Sequence, residues 1–76
     1  MEELVEYLAR GLVDKPDEVS VERVERDGAI VLELRVAPDD VGKVIGRQGR
    51  IARALRTVVR ATTGRGERRL QLEIMD

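Results

Sequence analysis

The chain has 76 residues, 42% of them hydrophobic, with Tyr7 as the lone aromatic, which limits it to one small aliphatic core without a cleft of enzyme size. It has no Cys and no His, which excludes disulfide, thiolate and zinc-ribbon chemistry and removes the commonest general base and metal ligand. The formal charge is only −1, yet residues 1–42 carry five basic and twelve acidic side chains, residues 43–76 carry nine and three, and no acidic residue lies between Lys43 and Arg60; such segregation points to a polyanionic partner for the second half.

In chain order, residues 2–13 read as an amphipathic helix. Leu4, Val5, Leu8 and Leu12 recur at helical spacing opposite Glu2, Glu3, Glu6 and Arg10, with Tyr7 as a packing residue at the edge. Asp14-Lys15-Pro16-Asp17 breaks it. Val19, Val21 and Val24 fit a short strand whose alternation slips once, as at a bulge, and Asp27-Gly28 is a hairpin turn. The next strand is clearer. Ile30, Leu32, Leu34 and Val36 define a core face, and Val31, Glu33 and Arg35 a wet one.

Ala37-Pro38-Asp39-Asp40 ends that strand and opens a short helix, buried through Val41, Val44 and Ile45. Asp39 and Asp40 read as helix-capping rather than as a catalytic carboxylate pair. Adjacent helical residues do not face each other, and nothing nearby would shift one pKa. Residues 50–63 form the longest helix, with Ile51, Leu55, Val58, Val59 and Thr62 inward and Arg50, Arg53, Arg56 and Arg60 outward. Thr63-Gly64 stops it, Gly64–Glu67 is a short loop, and Leu70, Leu72 and Ile74 alternate with Arg69, Gln71 and Glu73 as the final strand. A two-helix crossover between strands suits a parallel pair. The result is an α+β fold in the order α-β-β-α-α-β over residues 1–76 as a single domain, with a three-stranded mixed sheet and three helices on one face.

Between the last two helices stands Val44-Ile45-Gly46-Arg47-Gln48-Gly49-Arg50-Ile51. Glycines permit backbone conformations and close approaches that a Cβ forbids. The second glycine opens a helix whose N–H groups and dipole favour an anion, and Arg47 and Arg50 add charge. Two glycines three apart often mark nothing more than a tight turn between helices. Here the basic turn, Ile45 just before it and the element order carry the functional reading. The chain resembles the type II KH domain, whose G-x-x-G loop clamps the backbone of about four single-stranded nucleotides, and within it the small bacterial single-KH RNA-binding proteins of the KhpA type. The resemblance covers essentially the whole chain. One departure is local. The general pattern places a large aliphatic residue three after the second glycine, where this chain has Ala52, with Ile51 one position earlier.

The resemblance implies that Gly46, Arg47, Gln48 and Gly49 hold the sugar–phosphate backbone. Ile45, Ile51, Ala52 and Leu55 would line an apolar groove for bases, and backbone groups of residues 70–74 would read some base edges. Arg65 and Arg68 would add phosphate contacts on the opposite wall, and Lys43, Arg50 and Arg53 would steer RNA in. It further implies a post-transcriptional regulator or RNA chaperone, homodimerisation, and pairing with a larger KH-domain protein in RNA regulation and the control of cell elongation and shape. An alternative stays open, a protein-interaction module that homodimerises or pairs with such a partner.

Catalysis is remote. Ser20 is the lone serine, with neither His nor Cys to activate a nucleophile. No G-x-x-x-x-G-K-[ST] loop exists, and Gly42-x-x-x-Gly46 is a membrane-dimer motif out of context. The N-terminus has neither a basic n-region nor an apolar h-region, and no apolar run is long enough to span a bilayer, so the expected location is cytoplasmic. No cofactor is expected.

Overall fold

The computed structural model describes residues 1–61 and 69–75. In chain order these form α1 (Glu2–Arg10), β1 (Ser20–Arg26), β2 (Ala29–Arg35), α2 (Val41–Ile45), α3 (Arg50–Ala61) and β3 (Leu70–Met75), with single 3-10 turns at Pro16–Glu18, Pro38–Asp40 and Arg47–Gly49. The sheet order is β1-β2-β3, β1–β2 antiparallel and β2–β3 parallel. This is the mixed sheet, with its three helices, of a type II KH fold. Thr62, the Thr63-Gly64 stop, the Gly64–Glu67 loop, Arg65 and Arg68 lie outside the described residues.

The core-facing alternation of β2 is as read from the sequence. Leu32 and Leu34 are fully buried, and with Val36, Leu72, Val5, Ala9, Val44, Leu55 and Val59 they form one aliphatic cluster between sheet and helices. Fully burying one such side chain contributes about 1.5–3 kcal/mol. An exposed ion pair such as Arg10–Glu6 contributes about 0–1 kcal/mol. Aliphatic packing and the strand ladders therefore dominate stability.

Four expectations are corrected. First, α1 stops at Arg10 instead of running to residue 13. Gly11 caps it, and the Leu12 N–H turns back to the Ala9 carbonyl at 3.0 Å, which leads the chain toward the second half of the molecule. Second, β1 contains no bulge. It pairs residue for residue with β2 from Ser20↔Arg35 to Arg26↔Ala29. Val21 packs on the core side, and Val24 pairs with Val31 on the other face. Asp27 and Gly28 both take positive φ, as a two-residue hairpin turn requires.

Third, the outer face of β2 is wet only at Arg35. Val31 and Glu33 are buried in the central strand, and Glu33 is held by Arg26 of β1 and by Arg35. Glu22, Glu33 and Glu73 stand in register across the sheet. That row of like charge is compensated by Arg26, 2.6 Å from Glu33 and 3.3 Å from Glu73, and by Arg35, 3.6 Å from Glu33. Fourth, Tyr7 is no packing residue. The buried stripe of α1 is Val5 and Ala9, and Tyr7 with Leu4 lies off it, exposed.

The connection into α2 holds a further correction. Asp40 occupies the position before α2 but makes no capping bond. Its backbone is already helical (φ −100°, ψ −5°), and a capping side chain needs extended geometry to reach back to the helix amides. The carboxylate instead turns inward and is 1% exposed. It accepts the Lys15 backbone N–H at 3.0 Å and faces the Lys43 ammonium at 3.5 Å. Lys43 also pairs with Asp14 at 3.1 Å, and exposed Asp39 with Lys15 at 3.6 Å. Burial pushes the Asp40 carboxyl up, but the backbone N–H groups of Lys15 and Asp14 and the Lys43 ammonium together hold it below its ordinary value. Its partner Lys43 is raised, chiefly by its bond to Asp14. The expectation that nothing shifts a pKa here is thus overturned, by backbone groups of residues 14 and 15, remote in sequence, and by Lys43, three residues on.

A carboxyl lowered by folding stabilises the fold above its unfolded value, here 3.8, and that contribution disappears as pH falls through the folded value. In thermal melts of wild type and Asp40→Asn from neutral pH into acid, the gap in Tm should stay constant and then close below pH 3.8. A gap that ignores pH would contradict the charged role of Asp40.

Candidate functional site

Two short helical segments meet at the glycine turn. Val44 anchors α2 in the core. The Gly46 N–H closes that helix on the Gly42 carbonyl at 2.9 Å, and at Gly46 the chain swings out with φ 76° and ψ 171°, a region open in practice only to glycine. The reason for the glycine is also steric. A Cβ there would lie 2.6 Å from Ile51 Cγ1 and 3.0 Å from the Ile51 backbone nitrogen. The backbone of residue 46 is therefore pressed against the first turn of α3. Gln48 follows with φ 57° and ψ 26° and Gly49 with φ 73°. Gln48 is in the left-handed region, tolerated there at a modest strain. The Gly49 N–H donates to the Gly46 carbonyl at 3.1 Å and the Arg50 N–H to the Arg47 carbonyl. The amide of Gly49 is thus committed inside the turn rather than free for an anion.

Arg47 and Gln48 are exposed at the tip, and Arg50 beside it. Ile45 is exposed and Ile51 half-buried, while Ala52 and Leu55 are buried beneath. The four positions expected to floor a groove therefore form two layers, with only the isoleucines reaching the surface substantially. Ile51, placed one residue before the usual aliphatic position, is the residue packed on Gly46.

The basic run divides. Lys43 is ion-paired with Asp14 and Asp40. Arg50, Arg53 and Arg60 are exposed on the outer face of α3 as expected, and no carboxylate among the described residues pairs with them or with Arg47. Arg56 behaves differently: its Nε donates to the Leu72 carbonyl of β3 at 3.4 Å. Sequence reasoning placed Arg56 with the outward arginines and Asp40 among the caps. The i,i+3 spacing of Asp40 and Lys43 was a usable signal for the ion pair, whereas the reach of Arg56 to a strand 16 residues away left no local trace. The described residues bring together no group of His, Cys, Asp or Glu able to hold a metal ion, and no helix among them is long and apolar enough to cross a membrane.

The geometry separates the two glycines. Gly46→Ala meets both the backbone strain and the Ile51 contact, each worth about 1–3 kcal/mol. Gly49→Ala meets strain alone, because no atom lies within 4 Å of its added Cβ. Urea denaturation should show a clearly larger loss of stability for Gly46→Ala, and equal losses would contradict the close packing of Gly46 on Ile51.

Comparison with known proteins agrees with this arrangement. The family model for the KhpA/KhpB KH domain matches residues 2–74. The chain is 53% identical to a Borreliella burgdorferi protein over 97% of the chain and 90% of the relative. It is 55% identical to one from Treponema pallidum over 99% and 94%, and 59% identical to one from Streptomyces coelicolor over 90% and 86%. Each of these relatives bears the name RNA-binding protein KhpA. With strand order, glycine turn and full-length relatives in agreement, the chain belongs to the KhpA/KhpB family of KH domains.

Proposed function

We propose that this protein binds single-stranded RNA, with the Gly46–Gly49 turn as the clamp on the sugar–phosphate backbone. The observation that carries the reading is an exposed turn, shaped by positive-φ glycines, that holds Arg47 at its tip and leads into a helix face whose Arg50, Arg53 and Arg60 have no carboxylate partner among the described residues. The names of the relatives support RNA as the polyanion. The protein is a binding module and not an enzyme.

In this reading the strand's phosphates lie over Gly46, Arg47, Gln48 and Gly49, where missing side chains allow close approach and Arg47 neutralises charge. Arg50 and Arg53 raise the local concentration of RNA by long-range attraction. Lys43, held by two carboxylates, adds little to that field. Bases turn toward Ile45 and Ile51, backed by Ala52 and Leu55, and along the edge of β3. Arg65 and Arg68 are further phosphate contacts proposed from sequence. A role as post-transcriptional regulator or RNA chaperone in the cytoplasm fits a module that contacts mainly backbone. A second reading, association with another copy or with a larger KH-domain protein, is favoured by Leu4 and Tyr7, exposed on a helix that begins with acidic residues. The two readings use different faces and are compatible.

Replacing Arg47 and Gln48 together by aspartate tests the clamp. Both side chains are exposed, and Asp tolerates the left-handed backbone at position 48. The double variant should melt like wild type and lose binding to a labelled single-stranded RNA in fluorescence anisotropy. A variant that melts normally and binds with unchanged affinity would exclude the turn as the phosphate clamp.

A further inference from the structure

The edge of β3 is where the proposed reading brings bases, and the structure specifies which groups face it. The Ile30 N–H donates to the Arg69 carbonyl at 2.9 Å. In a parallel ladder main-chain groups alternate sides, so those of Arg69, Gln71 and Glu73 face β2, and those of Leu70, Leu72 and Ile74 face the other way. At the middle of that outward-facing set, the Leu72 carbonyl accepts Nε–H of Arg56, an exposed residue of α3. A base arriving there meets a guanidinium where an unpartnered strand would offer a carbonyl oxygen.

This exchanges an acceptor for a set of donors. A guanidinium has five N–H groups in a rigid planar fork. With Nε engaged on Leu72, the two terminal nitrogens have no carboxylate partner among the described residues and remain to meet a ligand. Such a fork matches bases that carry two adjacent acceptors, namely guanine through O6 and N7 and cytosine through O2 and N3. It matches adenine and uracil poorly. Each acceptor of adenine near its amino group sits next to a donor, and the two uracil carbonyls flank an N–H. We propose that Arg56 is a specificity-determining residue of the RNA site, favouring guanine or cytosine over adenine at one base position. The proposal rests on the RNA-binding reading above.

Two variants separate base reading from charge. Arg56→Lys keeps the cation and loses the fork, and Arg56→Ala loses both and uncovers the Leu72 carbonyl. Short oligouridine strands carrying a single guanine, cytosine or adenine at each successive position are titrated by fluorescence anisotropy against wild type, both variants and the Arg47/Gln48 double-aspartate protein, with melts to verify folding. At one position wild type should favour guanine or cytosine over adenine by about 5- to 150-fold, the range of one bidentate contact. Both variants should flatten that ratio, and Arg56→Lys should retain most of the affinity for strands that carry neither guanine nor cytosine at that position. A role in packing alone would lower affinity for all strands alike and leave the ratio where it was. An unchanged ratio in Arg56→Ala, or no preference against adenine at any position in wild type, would overturn the assignment. If either occurs while the double-aspartate protein fails to bind, only the role of Arg56 falls. If the double-aspartate protein binds normally, the clamp itself falls.

Discussion

Gly46 has room for a hydrogen and for nothing larger. Its backbone lies against the side chain and main chain of Ile51, and this approach fixes how α2 runs into α3. From it follow the sharp exit from α2, the left-handed conformations at Gln48 and Gly49, and the exposure of Arg47 and Gln48 at the tip. The same contact accounts for the placement of isoleucine at position 51. A β-branched side chain there, with one strongly preferred rotamer in a helix, gives Gly46 a defined surface to rest on, while the smaller Ala52 is buried behind it. The shape of the turn is therefore a packing property of the apolar layer, and its charge is a separate property added at the surface.

Charge is organised on the same principle of division. Of the cations around the turn, Lys43 is tied to Asp14 and Asp40 and secures the base of α2 to the segment that follows α1. Arg56 is tied to the edge of β3. Arg47, Arg50, Arg53 and Arg60 remain at the surface. On the far face of the sheet, Arg26 and Arg35 are absorbed by the carboxylates of Glu33 and Glu73. A chain with a net charge near zero thus gathers exposed arginines on the outer face of α3, because the carboxylates of residues 1–42 lie on other elements.

Much of this was legible in the sequence because it depends on local rules. Alternation in residues 30–36 identified the central strand, Asp27-Gly28 its hairpin, and the glycine spacing the turn. What was not legible depends on neighbours supplied by the fold. Alternation tells which side of a strand a residue faces, but not that β2 lies between two others, so Glu33 was read as wet although it is buried. The apparent slip at Val24 reflected a valine on the far face, paired with Val31, and not an extra residue in the strand. Asp40 looked like a cap because its helix is adjacent in sequence, whereas its hydrogen-bond donor, the Lys15 amide, is 25 residues away. Arg56 looked solvated because helical periodicity assigns it to the outer face, and a long side chain can still fold back over the end of a neighbouring layer.

The central claim is that the glycine turn and the groove beside it are the RNA site, with the opposite face of the sheet left free. An NMR titration with short single-stranded RNAs tests this most directly, because every backbone amide except those of the prolines reports separately. The account predicts progressive shifts confined to residues 43–56, to Arg65 and Arg68 and to the outer edge of β3 around Leu72, with Val24, Val31 and Glu33 unmoved. Shifts concentrated on α1 or on the far face of the sheet, with the amides of Gly46 to Gly49 unchanged at saturation, would contradict it.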